Sequence, residues 1–510
     1  AGRGMNGGAR SNIAIGMYTM NATGGGIHNV AVGADAMTNN AGGSYNTALG
    51  FAALRMNTVS GNTSVGAGSM YTSTTGVGIV AMGYAALCKN TAGSYNTALG
   101  CYAMACNTTG ANNTSVGRGA LCANTTGSDN VAIGFEALKA GTDNLNKQNT
   151  AVGSCAMRAN ITGCSNVAIG TRALETNTLG HSNISIGVYS SLSNTTGKQN
   201  VAVGMSALEA NTVGYGNTAL GYLAMKLGTT AKFTVGIGYQ AGYRSASTIP
   251  NTLVGYGAGC NVTTGYGNAV LGQYNYLGST TKYGVMIGWQ AHEGTGTAQN
   301  SVAIGKRALR CGPSGNSNIA IGTEALCHTT VGCENVAIGP NALTNNTSGC
   351  WNVAVGSLAG QLLTTGMENT FTGYQAGRSV TSGCYNTMMG RLSGYTLETG
   401  LRNTFIGHTA GRSAVTDISN STAIGFSAGC DTGANNTFVG AYAGCKGSGS
   451  GNVGVGINAG CILTGNNNSL LGGSAGNILT SGANNLVLGY NAQPTSATTS
   501  NEITLGDTNV

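Results

Sequence analysis

Thiols are as numerous as carboxylates in this chain. Its 510 residues include 15 Cys, 5 His and 15 acidic side chains. Cys430, Cys445 and Cys461 recur at equivalent places in a repeated sequence, as do Cys333, Cys350 and Cys384. Side chains that stack in this way come within disulfide reach. The same spacing also fits a small residue filling a repeated slot, and both readings stand for the ladder Cys430, Cys445, Cys461. No CxxC pair occurs, so the usual zinc spacing is missing. Cys327-His328 with Cys333 is a thin metal-like cluster, and His292-Glu293 lacks the second His of a zinc-protease helix. Glycan hydrolysis needs two carboxylates at a fixed separation. Glu293, Glu334, Glu368, Asp417 and Asp431 form no such pair in the sequence.

Gly236-Ile237-Gly238-Tyr239-Gln240-Ala241-Gly242 imitates a dinucleotide loop. A true loop of that kind joins a strand to a long helix, and no helical period follows here. Thr108-Thr109, Thr125-Thr126, Thr195-Thr196 and Thr263-Thr264 raise an ice-binding alternative. That chemistry needs an unbroken Thr array, whereas Asn57-Thr58-Val59 and Asn177-Thr178-Leu179 interrupt it. Sequons such as those at Asn107, Asn124, Asn194 and Asn261 arise from an Asn-Thr-Thr consensus and do not by themselves imply glycosylation. The expectation is a non-enzyme with no cofactor and no metal.

All these motifs sit in one repeat. Asn130-Val131-Ala132-Ile133-Gly134, Asn166-Val167-Ala168-Ile169-Gly170, Asn200-Val201-Ala202-Val203-Gly204 and Asn335-Val336-Ala337-Ile338-Gly339 share a pattern, N-[VTI]-A-[VIL]-G-x-x-A-[LM]-x-x-N-T-T-G-x-x, with roughly 29 copies of about 17 residues. We number the repeat from 1 at its first Asn. Helical hairpin repeats need about 33 residues or more, so this period predicts one turn of a parallel β-solenoid. The fold class is therefore all-β. At a rung spacing of about 4.8 Å, 29 turns would extend for roughly 140 Å.

Positions 2 to 4 alternate in character over a short strand. Position 4 is expected to form an internal ladder of Val32, Leu49, Val65, Leu99, Val116, Ile133, Val152, Ile169, Ile186, Val203, Ile304, Ile321 and Ile338. Glycines at positions 5 and 15 are expected to turn the chain through positive φ, with Gly134, Gly170, Gly204, Gly305 and Gly339 as examples of position 5. Asn at positions 1 and 12 is expected to hydrogen-bond to the equivalent amide one rung away. Asp35, Arg118, Glu136, Arg158, Arg172, Glu175, Arg307 and Glu324 fall at positions 6, 7 or 10. Position 3, small and uncharged, is expected to face outward and to receive a neighbouring chain.

Composition agrees with thin, stacked layers. Gly accounts for 87 residues, charged residues for 7%, and only 7 Phe and 2 Trp are present. The net charge of +7 is dispersed, whereas nucleic-acid binding requires a dense basic stripe. No apolar run is long enough for a membrane helix, so no membrane insertion is expected. Ala-Leu or Ala-Met mostly stands at positions 8 and 9 in residues 1–232 and 300–350. Ala-Gly dominates residues 233–299, where the rungs are irregular, and residues 351–489. Residues 490–510 form a C-terminal segment. Losing the Leu predicts a thinner or differently packed cross-section. Length irregularities near 141–148, 277–299 and 412–420 read as surface loops.

Asn300-Ser301-Val302-Ala303-Ile304-Gly305 resembles the head repeat of trimeric autotransporter adhesins (YadA-like), though the repeat here is longer. That resemblance implies a left-handed β-roll and a side-by-side homotrimer. Asn485-Leu486-Val487-Leu488-Gly489, a Ser/Thr-rich stretch and Ser500-Asn501-Glu502-Ile503-Thr504-Leu505-Gly506 resemble the segment of phage and algal-virus tail fibres that precedes an endosialidase-type intramolecular chaperone. It implies that the chaperone is cut off near Val510. The chain does not start with Met, which suggests trimming or a longer parent.

The function expected from these resemblances is an extracellular viral fibre on the virion surface, a stiff spacer and host-attachment appendage. Its partners would be itself, side by side or also end to end, and a host-surface glycan or protein receptor. Tyr274, Tyr276, Trp289 and Trp351 could stack on sugars or cover irregular rungs. The alternative is a trimeric cell-surface adhesin or a secreted structural filament, at the cell surface or in the extracellular matrix.

Overall fold

A computed structural model describes residues 8–22, 24–141, 147–294, 296–414 and 417–507. Residues 1–5 at the start, part of the irregularities near 141–148 and 412–420, and Val510 lie outside the described residues. The chain forms two compact units, Ala1–Thr264 and Gly265–Val510. The boundary falls inside the stretch of irregular rungs at 233–299.

Both units are all-β solenoids, and no helix occurs among the described residues. Unit one runs from strand Ile13–Ile15 to strand Thr252–Val254, and unit two from Ala269–Leu271 to Ile503–Leu505. Every strand has three residues. Within a unit each strand pairs in parallel with the next, in register, as in Val167↔Ile184, Ala168↔Ser185 and Ile169↔Ile186. Period drift does not disturb this register. Val131 pairs with Thr150 across a longer turn, and Thr422 with Thr437 across a shorter one. The extra or missing residues are absorbed between strands.

One rung, residues 166–182, shows how the sequence closes a turn. Gly170 takes φ +133°, a conformation that a side chain would strain. Its missing Cβ would also meet the Gly187 carbonyl oxygen at 2.5 Å. Gly134, Gly204, Gly305 and Gly339 share this geometry, with φ from 131° to 137°. Gly180, at position 15, differs from the expectation, because its φ is not positive. It is glycine because a Cβ would strike the Asn177 side chain and the Gly197 carbonyl.

Three further residues of this rung turn the chain in the left-handed region, and none is glycine: Arg172 (φ 57°), Leu174 (φ 51°) and Ser182 (φ 57°). A left-handed non-Gly residue costs about 1–2 kcal/mol. Packing of the finished turn must offset that cost.

The interior contains Asn166, Ala168, Ala173, Leu174 and Asn177, all fully buried. The expected amide ladders are present. Asn166 Nδ2 donates to Asn149 Oδ1 at 3.2 Å and to Gly180 O at 2.9 Å, while its Oδ1 accepts from Asn183 N at 3.0 Å. Asn177 Nδ2 donates to Asn160 Oδ1 at 2.6 Å and to Gly180 O at 2.9 Å. A polar residue can occupy the core because the next rung supplies its partners.

The strand's inside and outside are the reverse of the expectation. Position 3, Ala or Ser, faces the core, and Ala31, Ala132, Ala168 and Ala202 are fully buried. The ladder Val32, Leu49, Val65, Leu99, Val116, Ile133, Val152, Ile169, Ile186, Val203, Ile304, Ile321 and Ile338 stacks in register, yet none of its members is buried in the single chain. The large internal ladder is instead position 9, with Met37, Leu54, Met70, Leu87, Met104, Leu121, Leu138, Met157 and Leu174 all fully buried. In a three-residue strand, one side receives one residue and the other receives two. The core receives one because Leu at position 9 already fills the space opposite.

Ala-Gly rungs keep the backbone and move the bulk. Gly377, Gly394, Gly411 and Gly444 hold position 9 at φ 56–59° without strain. Position 3 becomes large in the same rungs, with Phe371, Met388, Phe405 and Phe438 fully or almost fully buried. A Cβ on Gly411 would lie 2.5 Å from the Phe405 ring. Position 12 exchanges Asn for Leu363, Val380 and Leu397, also fully buried. The cross-section is therefore differently packed, with side-chain volume transferred between positions.

Candidate association face

The exposed side of the strands is the most extended chemical feature of each unit. Positions 2 and 4 point outward on every rung, and no strand contains a charged residue or His. Position 4 is Val, Ile, Leu or Met in each strand except Thr370–Thr372, where it is Thr372. Position 2 is Val, Ile or Leu in about half of the strands and Thr, Ser or Ala in the rest. Ile133, Ile169, Ile186 and Ile338 are 37–39% exposed, and Leu471 reaches 53%. In-register stacking aligns the position 4 residues into a charge-free, largely apolar column along each unit, interrupted in unit two at Thr372.

Aromatic side chains border the columns. Phe51, Tyr84, Phe135 and Tyr222 stand at position 6 and are exposed. Tyr239 and Tyr256 stack with ring centroids 4.6 Å apart and planes at 10°. Tyr45, Tyr95 and Trp351 stand on the other border, at position 17. Trp289, considered above as a sugar platform, already carries Lys306 and Arg307 over its ring at 5.5 and 5.2 Å. Tyr274 and Tyr276 meet edge to face at 6.1 Å.

Charged side chains share these borders, with Arg118 and Arg391 at position 6 and Asp129, Glu334 and Glu368 at position 17, and several at positions 7 and 10 pair with one another. Glu136 binds Lys139 at 2.7 Å and Arg158 at 2.9 Å, and Glu175 binds Arg172 at 2.5 Å. The hydrogen bond from Lys139 and the Arg158 charge hold the Glu136 carboxyl below its usual range. In unit two, Arg310 binds Glu293 at 2.8 Å and Arg307 binds Glu324 at 3.5 Å. Exposed pairs of this kind contribute little stability. They leave the strand face as the uncharged side of the turn.

The candidate reactive residues are dispersed along the rungs. Cys327 is buried, whereas His328 is exposed and shares a hydrogen bond with Asn345 Oδ1 at 3.2 Å. Among the described residues no three His, Cys, Asp or Glu side chains are grouped to hold a metal. Cys430, Cys445 and Cys461 occupy position 10 of successive rungs as free thiols. Burial, then the neighbouring Cys430 and Cys461, push the Cys445 thiol up to about 11. Sequence reasoning missed the position 9 core ladder and the outward direction of position 4. The available signal was the exchange of large residues between positions 3 and 9, which identifies both as facing one interior. Comparison with protein-family models and with curated proteins finds no match for this chain.

Proposed function

We propose that the chain is a structural protein whose copies associate side by side through the strand face. The observation that carries this reading is the charge-free column at position 4, which leaves branched aliphatic residues exposed on rung after rung. Monomeric soluble proteins rarely expose contiguous apolar patches beyond a few hundred Å². A second copy is the fitting occupant, because it presents an equally long apolar column with the same rung spacing. Small and branched residues at positions 2 and 4 allow such columns to interdigitate without steric conflict.

A trimer, in which three strand faces enclose a common apolar seam, is the stoichiometry favoured by the resemblance to adhesin heads. The resemblance of the C-terminal segment to tail fibres favours a virion appendage, a stiff spacer used in host attachment, over a cell-surface adhesin or secreted filament. Electron microscopy of the purified chain tests the structural reading. Elongated particles with threefold symmetry are expected, and dispersed single-chain particles would contradict it.

A further inference from the structure

Position 16 of four consecutive rungs in unit two carries sulfur: Cys333, Cys350, Met367 and Cys384. The first two side chains are already in contact. Cys333 Sγ lies 2.8 Å from Cys350 Sγ, and Cys333 N donates to the same Cys350 sulfur at 3.1 Å. The Trp351 N–H donates to the Cys333 carbonyl at 3.1 Å, which clamps the two backbones beside the pair. Stacked rungs are about 4.8 Å apart, within the roughly 4.4–6.8 Å between Cα atoms that a disulfide accepts. Both thiols are half-buried, so a small oxidant can reach them.

We infer that Cys333 and Cys350 are a dithiol site that closes to a disulfide, stapling two successive rungs, on reaction with a small-molecule disulfide such as oxidised glutathione. This inference is independent of whether copies associate. Geometry assigns the roles. Cys350 Sγ accepts hydrogen bonds from both the Cys333 thiol and the Cys333 backbone, which makes it the acceptor sulfur of the pair and the first to attack. Cys333, as donor, keeps its proton longer; its hydrogen bond to Cys350, then burial, push its thiol up to about 11.

The Cys350 thiolate attacks one sulfur of the oxidant and expels a glutathione thiolate, leaving a mixed disulfide on Cys350. Cys333 then loses its proton, attacks the Cys350 sulfur and expels the second glutathione thiolate. The protein pair loses two electrons, the oxidant gains them, and the two thiol protons end on two glutathione molecules.

The test is a time course of the native full chain with oxidised glutathione. Free thiols are then alkylated and unreduced peptides are read by mass spectrometry. The Cys333–Cys350 cross-link is expected first, at least about tenfold faster in the folded chain than in urea, because folding holds the two groups together. C350S should abolish it, and C384S should leave it unchanged. The inference is overturned if another pair closes first, if Cys333 stays alkylatable at equilibrium, or if the folded and urea-unfolded chains cross-link at equal rates.

Discussion

Single residues show how little the interior tolerates. Asn177 is fully buried, and its amide bridges Asn160, Gly180 and Asn194. Asn177→Ala deletes its own bonds and also takes one of two hydrogen bonds from the Asn194 amide, which keeps Gly197 O, and from the Gly180 carbonyl, which keeps Asn166. Bonds lost from buried polar groups cost about 1–3 kcal/mol, so the urea midpoint of unit-one unfolding should fall. His292 makes a sharper case. It occupies position 9, in the core, and neither ring nitrogen has a hydrogen-bond partner.

Burial pushes the His292 pKa down from 6.5 to about 4. The folded chain therefore keeps the ring neutral, while the unfolded chain takes up a proton below 6.5. Stability from this group is complete above pH 6.5 and is lost progressively as pH falls to about 4, at about 1.4 kcal/mol per pH unit and about 3 kcal/mol in all. Neighbouring Glu293 is paired with Arg310 and Gln290. Denaturation of unit two followed against pH should show that slope. His292→Leu, which restores the residue type of Leu309 on the next rung, should remove it and raise stability at neutral pH.

At the scale of the rung, positions 3 and 9 share one volume. Phe371→Ala empties a core site and should cost about 3–5 kcal/mol. Gly377→Leu places a side chain against the Phe371 ring and at φ 56°, so overpacking adds about 1–3 kcal/mol to backbone strain. The double variant recreates an Ala-Leu rung and should recover most of the combined loss. A double-mutant cycle by denaturant unfolding checks this, and additive losses would contradict a shared volume.

The rung itself was legible in the sequence. The period, the strand Val167–Ile169, the Asn ladders and the position 5 turn all follow from residue type and recurrence. The direction of the strand was not, because Val167-Ala168-Ile169 satisfies period-2 alternation with either side inward. Charges at positions 6, 7 and 10 mark the strand as uncharged without showing which side faces inward. In the single chain, positions 2 and 4 are uncharged and half-buried or exposed. The left-handed conformation of Leu174 was equally hidden, since nothing local asks Leu to adopt it. Gly at the same position in Ala-Gly rungs was the trace it left.

At the scale of the whole molecule, each unit repeats one neighbour-to-neighbour contract, so its stability accumulates rung by rung. The proposed association face would accumulate in the same way: each further rung adds two outward side chains to the uncharged strand face. Its location was within reach of the sequence as an uncharged strand, but the number of partners is a property of several chains together. The mass of the folded protein in solution therefore tests the strand face most directly. Light scattering after size exclusion, on the wild-type chain and on Ile169→Lys with Ile186→Lys, measures it. A stable trimer is expected for the wild type. The paired lysines, exposed in the single chain, should leave the β-rich circular dichroism unchanged and shift the mass toward one chain. A folded wild-type monomer, or a variant that keeps the full oligomer mass, would contradict the assignment of the strand face.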